Sequence, residues 1–560
     1  MANQRFFLYL ALAFILYMIW LTWQHEQVPP PTVPPVTQGE VRDLAQAEDL
    51  PELLAPDMPE APAPATAPER EPPHTSARTP QVQVTTDVLD VVIDTRGGDI
   101  RQLDTLTYPV SLQKKDVGFR LLHDDGRTHI AQSGLRHDNI HGQPAPASLA
   151  PSHHEIYTAE RSRYVLADGQ DRLQARLVWQ GDGGLQVEKI FTFYRGDFVI
   201  DVSHRVLNPG PAPWTGRQYQ QLRHSDIPED RSWLRLPTYT GAAYYDGAYH
   251  KHSFDDIEDE PFNMQVNGGW TAMLQHYFVS AWVAEPEQAN RFYSKRVQGA
   301  DGPQYLIGML SASQTVPPGA QGEFKRRLYA GPKLQRSMEE IAPGLDLSVD
   351  YGMFSILSKP LFWLLEWFHK LVGNWGVAII LVTIAVKLVF FKLSEASYKS
   401  MARMRKIQPR FQAMRERYTD DKQKLNQALM EMYKKEKINP LGGCLPILVQ
   451  IPVFLALYWV LVESVELRQA PFMLWIHDLS LRDPVFVLPL LMGITMYIQF
   501  KLNPAPPDPM QAKIFAMMPI MMTAFMAFFP AGLVLYWLVN NLLSIAQQYV
   551  ITKRIEKADY

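Results

Sequence analysis

Lys387 lies inside an apolar run, residues 375–393, that is long enough to cross a lipid bilayer. The run contains no acidic residue that could neutralise this lysine. A charged side chain near the bilayer centre costs roughly 2.5–3.5 kcal/mol on insertion scales, so it usually faces a protein-lined or water-filled cavity. We therefore expect Lys387 to mark the functional site, with a polar cavity around it.

Other polar side chains occur in the apolar runs at spacings that match one helix face. Thr383 precedes Lys387 by one turn, and Gln450 lies near the middle of the next apolar run. The last run carries a polar stripe, which comprises Asn540, Asn541, Ser544, Gln547 and Gln548. A helix bundle that turns such faces inward encloses a hydrated groove. We predict that this groove is lined by Lys387, Thr383, Gln450, Asn540, Asn541 and Ser544.

Polar residues in membrane bundles also serve simply to bridge helices, for about 0.6 kcal/mol each. We expect that structural role for Gln547 and Gln548, which lie late in the last run. Bridging does not account for Lys387, because a helix contact does not require a full charge without a carboxylate partner. Glu463 lies at the opposite end of its own run, so we do not expect it to reach Lys387.

The sequence contains no motif for bond chemistry. No P-loop, G-x-S-x-G or G-x-G-x-x-G occurs in a fitting context. The histidine groups at 153–155 and 250–252 fall in turn-rich sequence and lack the ligand spacing of zinc motifs. The single cysteine, Cys444, excludes a disulfide framework. We therefore expect no catalytic residues, no metal site and no cofactor.

Hydrophobic residues are distributed very unevenly along the chain. The overall values, 47% hydrophobic residues and a formal net charge of -4, are typical of a large soluble protein. An apolar segment within residues 1–23 lacks a small-residue cleavage site, so we interpret it as an uncleaved transmembrane anchor. More than three hundred residues of ordinary globular composition follow, and the C-terminal third is dense in apolar runs. This pattern predicts a polytopic α-helical membrane protein with a large soluble insert.

The soluble insert divides into a linker and a β-domain. Residues 24–80 are rich in proline, alanine and acidic residues, which predicts a disordered, extended linker without a site. Residues 81–340 show period-two alternation, as in Phe198-Val199-Ile200-Asp201-Val202, interrupted by turn signals such as Arg96-Gly97-Gly98-Asp99. That combination predicts one large antiparallel β-sandwich.

The remaining runs predict the helical part. Residues 354–372 form an amphipathic, tryptophan-bearing pattern, which is typical of a helix that lies in the membrane interface. Five apolar runs are long enough to span a bilayer, at residues 375–393, 441–463, 484–500, 513–529 and 532–551. With the N-terminal anchor they make six transmembrane helices, of which the last five form the core bundle.

Charge distribution predicts the orientation of these helices. Lysine and arginine clearly outnumber acidic residues at 394–440, whereas the loop at 464–483 carries only two basic residues, so the former is expected in the cytoplasm. Both termini, including the tail at 552–560, are then cytoplasmic, and residues 24–374 are periplasmic in a bacterial inner membrane. The spacing at 394–440 predicts a hairpin of two amphipathic helices. It is either a solvated positive anchor or a docking surface for a cytoplasmic partner, and the sequence does not choose between these roles.

Several long motifs resemble the YidC membrane protein insertase family. They are Asn439-Pro440-Leu441-Gly442-Gly443-Cys444-Leu445-Pro446, Gln450-Ile451-Pro452, the stretch at 464–480, and Pro530-Ala531-Gly532-Leu533-Val534-Leu535-Tyr536-Trp537. The resemblance implies a protein that inserts and folds nascent membrane proteins, alone or beside the Sec translocon, with a ribosome or targeting factors at the basic hairpin. It also implies a positive residue in the first core helix, which matches Lys387. The family commonly has arginine there, and lysine keeps the charge without the planar fork.

A route through the protein follows from these expectations. Lys387 attracts a polar or acidic region of a client, and the client's apolar helix slides over exposed apolar surfaces into lipid, driven by hydrophobic partition. We assign this hydrophobic slide to Leu455, Met517 and Met521. The alternative function is a secondary transporter of a small anion, although we detect none of the internal repeats typical of transporters. A sugar-binding module on an anchor leaves five spans without a role, and sequence-specific nucleic acid is not an expected partner.

Overall fold

The computed structural model of the chain describes residues 50–51, 79–140, 143–225, 238–299, 302–418, 422–435, 445–503 and 509–558. The predicted anchor at 1–23 and nearly all of the predicted linker at 24–80 lie outside the described residues. All statements about the structure below refer to the described ranges.

Twenty strands occupy the described residues between Gln81 and Pro332. They are β1 Gln81–Thr85, β2 Leu89–Asp94, β3 Asp99–Ser111, β4 Lys114–Asp124, β5 Thr128–His137, β6 Thr158–Ala159, β7 Arg163–Val165, β8 Arg172–Gln180, β9 Gln186–Tyr194, β10 Val199–Asn208, β11 Trp214–Ser225, β12 Gly241–Tyr245, β13 Tyr249–His252, β14 Asn263–Asn267, β15 Trp270–Leu274, β16 Phe278–Val283, β17 Ala289–Gly299, β18 Gly302–Ser311, β19 Gln314–Val316 and β20 Ala320–Pro332.

The strands form two sheets. One has 11 strands, in the order β14-β17-β18-β11-β5-β4-β3-β2-β1-β7 with β19 paired to β11, and the other has 9, in the order β13-β12-β15-β16-β20-β10-β9-β8-β6. The alternation that predicted strands is visible in β10, where every second side chain is buried. Pairing is antiparallel except between β1 and β7, which are parallel. The β-domain is therefore a two-sheet structure of predominantly, but not purely, antiparallel strands.

Apolar side chains from both sheets form one buried cluster, and polar contacts cross between the sheets within it. Trp282 Nε1 of β16 donates to the carbonyl oxygen of Gln221 in β11 at 3.2 Å. Lys189 is fully buried, and its ammonium donates to the carbonyl oxygens of Gly97 at 2.8 Å and Ser133 at 2.7 Å. Burial lowers the pKa of Lys189 to about 8, although the charge of Asp99 partly opposes the shift. The sequence pattern alone did not predict these interior polar contacts.

Ten α-helices lie in the described residues, two short ones within or after the strands and eight in the C-terminal part. They are α1 Phe254–Asp259, α2 Gln335–Ile341, α3 Ser355–Val372, α4 Trp375–Val389, α5 Phe391–Arg417, α6 Lys422–Lys435, α7 Leu445–Glu463, α8 Val487–Leu502, α9 Pro509–Met526 and α10 Ala531–Ala558.

Local chemistry sets the ends of the helices near the predicted site. Gly373 ends α3 in the left-handed region, at φ 65°, where glycine is favoured. One residue later the Asn374 side chain caps α4 by accepting from the Val377 amide at 3.1 Å. α4 stops at Val389, four residues before the end of the predicted span, because the chain bends at Phe390 and restarts as α5.

One pair of consecutive helices among the described residues has the length and apolar composition expected of a membrane span. Among the described residues, no single helix is both long and apolar enough to cross a bilayer by itself. The consecutive segments Trp375–Val389 and Phe391–Met404 satisfy the criterion together, with a 67° bend between them. Shorter apolar helices occur at Gln450–Glu463, Val487–Leu502 and Lys513–Met526.

The β-domain is joined to the helices at the loop that follows α7. Arg468 Nη2 donates to the Pro109 carbonyl oxygen at 2.8 Å, and its guanidinium lies 5.7 Å from the ring centroids of Phe119 and Phe278. His276 Nε2 donates to the Val462 carbonyl oxygen, near the end of α7, at 3.0 Å. These contacts hold the β-domain directly against one end of the helical part.

Candidate functional site

The ammonium of Lys387 lies where α4, α7 and α10 meet. Its Nζ donates to Ser544 Oγ at 2.8 Å and lies 3.5 Å from Gln450 Oε1. The side chain is half-buried, and it forms no ion pair with any described carboxylate. Among the described residues, the ammonium is therefore contacted only by neutral oxygen atoms.

Gln450 and Ser544 continue this contact into a short network on two helices. Gln450 Nε2 donates to Asn540 Oδ1, and Ser544 Oγ donates to the Asn540 carbonyl oxygen at 2.7 Å. Four of the six residues predicted to line the groove, Lys387, Gln450, Asn540 and Ser544, are thus connected by hydrogen bonds.

The other two predicted residues make different contacts. Thr383 is 1% exposed, and its hydroxyl donates to the Ile379 carbonyl oxygen of its own helix at 2.7 Å. Asn541 is also buried and donates to Thr495 Oγ1 of α8 at 3.4 Å. Neither forms a hydrogen bond with Lys387 among the described contacts, so both are placed as packing residues of the bundle.

Gln547 and Gln548 bridge helices, as expected from the sequence. Gln547 Nε2 donates to the Phe391 carbonyl oxygen of α5 at 3.3 Å. Gln548 Nε2 donates to the Leu502 carbonyl oxygen of α8 at 3.2 Å and to Asn503 Oδ1 at 3.1 Å.

One polar face beside the network was missed by sequence reasoning. Ser394, Ser397 and Tyr398 are all buried on α5, and the Tyr398 hydroxyl is within hydrogen-bonding reach of Ser544. These residues follow each other at helical spacing, three and four positions apart, directly after the apolar run. That spacing was a usable signal, but the segment was interpreted only as part of the basic hairpin at 394–440.

The residues of the predicted hydrophobic slide differ in exposure. Met517 and Met521 on α9 are each 59% exposed, and they share one helix face with Ile514 and Phe525, which are also exposed. Leu455 on α7 is only partly exposed. α9 therefore presents a continuous apolar surface, whereas Leu455 contributes less to the exterior.

Comparison with known proteins covers both parts of the chain. Residues 81–364 match the family model described as the YidC periplasmic domain, and residues 367–558 match that described as 60Kd inner membrane protein. The protein named membrane protein insertase YidC from Thioalkalivibrio sulfidiphilus is 53% identical over 100% of this chain and 99% of its own length. Proteins of the same name from Nitrosococcus oceani and Alkalilimnicola ehrlichii are 46% and 49% identical, over 100% and 99% of this chain and 100% and 96% of their own lengths.

The chain belongs to the YidC membrane protein insertase family. It is accordingly a multi-pass protein of the inner membrane with a periplasmic domain, and an insertase rather than an enzyme. Family membership decides between the two function classes that the sequence motifs left open, in favour of the insertase and against the small-anion transporter.

Proposed function

We propose that this insertase receives the polar region of a nascent membrane protein at the network around Lys387 and releases its apolar helix into lipid. The supporting observation is the ammonium of Lys387, which contacts only neutral oxygens among the described residues. A cation without a carboxylate partner attracts an acidic or polar segment, and it does so more strongly where the surroundings are partly desolvated. The polar network shortens the apolar distance that such a segment must cross.

The exposed apolar face of α9 supports the release step of the proposal. In this step a client helix packs its apolar side against Met517 and Met521, whose flexible side chains adapt to many shapes. When the helix leaves, it exchanges this apolar protein surface for apolar lipid. Lateral movement from that face into lipid is driven by hydrophobic partition and requires no nucleotide. In this proposal Leu455 lies on the inner edge of the slide.

The proposal also includes the arrangement in the membrane and the partners. Six spans, with both termini and the helical hairpin α5–α6 in the cytoplasm, bring the basic hairpin to the side where ribosomes and targeting factors approach. The Sec translocon is a further proposed partner.

Thiol labelling of single introduced cysteines, after replacement of Cys444, tests the orientation. Position 210 should be labelled in cells with an intact inner membrane, and labelling there only after permeabilisation contradicts the assignment.

The decisive experiment replaces Lys387 and measures insertion of two clients that differ only in the charge of the translocated tail. Each variant is reconstituted in liposomes at equal amount. Lys387→Arg should be tolerated, Lys387→Ala should impair the acidic tail more than the neutral one, and Lys387→Glu should be worse still. Lys392→Ala is the matched control, because this nearby lysine is exposed. Equal insertion of both tails by all variants would end the charge-attraction proposal.

A further inference from the structure

A cavity of about 310 Å³ lies at the junction of the β-domain with the loop after α7, away from the Lys387 network. Its volume is at the low end of the range for small-ligand sites. Three arginines and three histidines line it, together with aromatic rings, and no described aspartate or glutamate does so. These basic residues are Arg120, Arg127, Arg468, His123, His224 and His276.

Two of the arginines, unlike the third, form no ion pair with the described residues. Arg120 forms ion pairs with Asp104 at 2.9 Å and Asp125 at 3.3 Å, so its charge is balanced. Arg127 and Arg468 form no ion pair within 4 Å of any described carboxylate, although the charge of Asp478 acts on Arg468 from farther away. The cavity therefore has an excess of positive charge, which selects an anion.

Arg468 is held in place by contacts that leave part of its guanidinium for a ligand. Its Nη2 donates to carbonyl oxygens of Pro109 and Val110, and its plane lies beside two stacked rings. Those rings, Phe119 and Phe278, have centroids 4.1 Å apart and an interplanar angle of 6°. A guanidinium fixed in this way loses little conformational freedom when it binds phosphate or carboxylate oxygens.

His224 and His276 contribute polarity rather than charge at neutral pH. Burial lowers the pKa of His224 and of His276 to about 4 in each case, and a hydrogen bond to the backbone partly opposes the shift at both. At His276 the charge of Lys333 adds to the shift. The Nδ1 of His123 donates to the Arg127 carbonyl oxygen at 2.9 Å, which fixes the turn that carries this arginine.

The proposed arrangement of the spans places the cavity beside the membrane surface. Arg468 follows the end of α7 by five residues, and the same loop exposes Met473 and Leu474, which are 50% and 75% exposed. Apolar side chains exposed next to a membrane helix are typical of an interfacial segment. The layer at that depth contains the phosphate groups of lipids, so phosphate is the anion that this position meets most often.

We propose that this cavity binds a phosphate ester group through Arg127 and Arg468, with the stacked Phe119 and Phe278 rings as its apolar wall. The ester is carried by a phospholipid headgroup of the outer leaflet or by a soluble phosphate ester, since both present the same chemistry. Such a site ties the periplasmic domain to the membrane surface independently of the Lys387 network.

The test uses the full chain reconstituted in vesicles that contain phosphatidylglycerol with a photoactivatable group on its headgroup. Crosslinks, located by mass spectrometry, are expected in the segments that contain residues 119–127 and 468. Arg127→Gln should lower the yield roughly tenfold, in line with the loss of a charge-assisted hydrogen bond. Because Arg127 is exposed, this variant should fold even if Arg468→Gln disturbs the domain junction. Arg161→Gln, an exposed arginine elsewhere on the domain, is the matched control and should leave the yield unchanged.

Competition experiments identify the source of the phosphate. If excess glycerol 3-phosphate in the aqueous phase removes the crosslinks, the site takes soluble esters, and if it does not, the site takes the lipid headgroup. Both results support a phosphate site. Equal labelling of the parent protein and Arg127→Gln would overturn the proposal. So would equal labelling by a photoactivatable glucosyl diacylglycerol, which lacks phosphate, or competition by an acidic peptide alone.

Discussion

The Ser544 hydroxyl accepts a hydrogen bond from Lys387 Nζ at 2.8 Å while it donates its own proton to the Asn540 carbonyl oxygen at 2.7 Å. A hydroxyl has a single proton to donate, so Ser544, which already donates to the carbonyl oxygen, faces the ammonium with a lone pair. Ser544 is thus an acceptor for Lys387, and α10 holds the charge of α4 in one position.

Removal of the Ser544 hydroxyl should have little effect if water has access to Lys387. We expect Ser544→Ala to retain insertion of an acidic client within about twofold, since water replaces the lost acceptor. Ser544→Leu should reduce insertion strongly, because it fills the space beside the ammonium with apolar volume. Insertion in liposomes measures both. Ala546→Leu is the matched control, as this residue lies exposed on the same helix. A loss with Ser544→Ala as large as with Ser544→Leu would indicate a dry, closed network.

Gly493 allows α8 and α9 to approach closely. A Cβ at this position would lie 1.9 Å from Thr523 Oγ1, so either Thr523 must change its rotamer or the helices must separate to accommodate it. We expect Gly493→Ala to destabilise the protein by about 1–3 kcal/mol, the usual range for overpacking. The thermal midpoint in detergent measures the loss. The double variant Gly493→Ala/Thr523→Ala removes the clashing oxygen and should recover most of it, whereas additive losses would contradict this explanation.

The periplasmic domain should lose stability in mild acid. Burial lowers the pKa of His129 well below its ordinary value, and it lowers the pKa values of His224 and His276 to about 4. In the unfolded chain these histidines titrate near 6.5, so between about pH 6.5 and 4 the unfolded state binds more protons than the folded state. Stability therefore falls as the pH drops through this window and is unaffected by these groups above it.

Thermal unfolding of the full chain at pH 7.5 and pH 5 checks this sign. We expect a midpoint several degrees lower at pH 5, at constant ionic strength. His224→Gln cannot take up a proton, so the difference between the two midpoints should shrink even if the variant is less stable at both. A midpoint that rises in acid would show that other groups dominate.

Deletion of residues 82–320 should leave insertion largely intact, because the network around Lys387 lies entirely on α4, α7 and α10. The truncated protein should nevertheless be less stable, since Arg468 and the Val462 carbonyl lose their partners in the β-domain. Rescue of cells depleted of their own insertase measures function, and protein accumulation is measured in parallel. The same deletion with Lys387→Glu is the control that should fail. A stable deletion that does not rescue would assign the β-domain an essential role.

The polar residues of the site were predictable because helical periodicity is local. Lys387, Gln450 and Ser544 stand out as polar groups in apolar runs, and the tertiary fold connects them by hydrogen bonds. Thr383 shares a face with Lys387 in the sequence pattern, but its hydroxyl bonds to its own helix. Periodicity identifies a face, whereas the partner of each side chain depends on the packing of other helices.

Three further features lay beyond the pattern for different physical reasons. The end of α4 at Val389 was missed because Phe390 and Phe391 continue the apolar run, and hydropathy does not record a backbone bend. In the β-domain, alternation predicted the strands of a sandwich but not which strands pair in each sheet, since pairing is set by contacts between distant segments. The cavity beside Arg468 combines residues 119–127 with a loop more than three hundred positions later, a relationship that no local signal carries.

The helices α4 and α5 meet at Phe390 with a bend of 67°. Lys387 lies three residues before the bend, and the basic hairpin α5–α6 lies beyond it. Helices are stiff, so a rotation of the hairpin is absorbed at the few residues of the bend, within one turn of the charge. If a particle docks on the hairpin, as proposed above, its force is transmitted to the backbone within one turn of Lys387, and we expect the position of the charge to respond to docking.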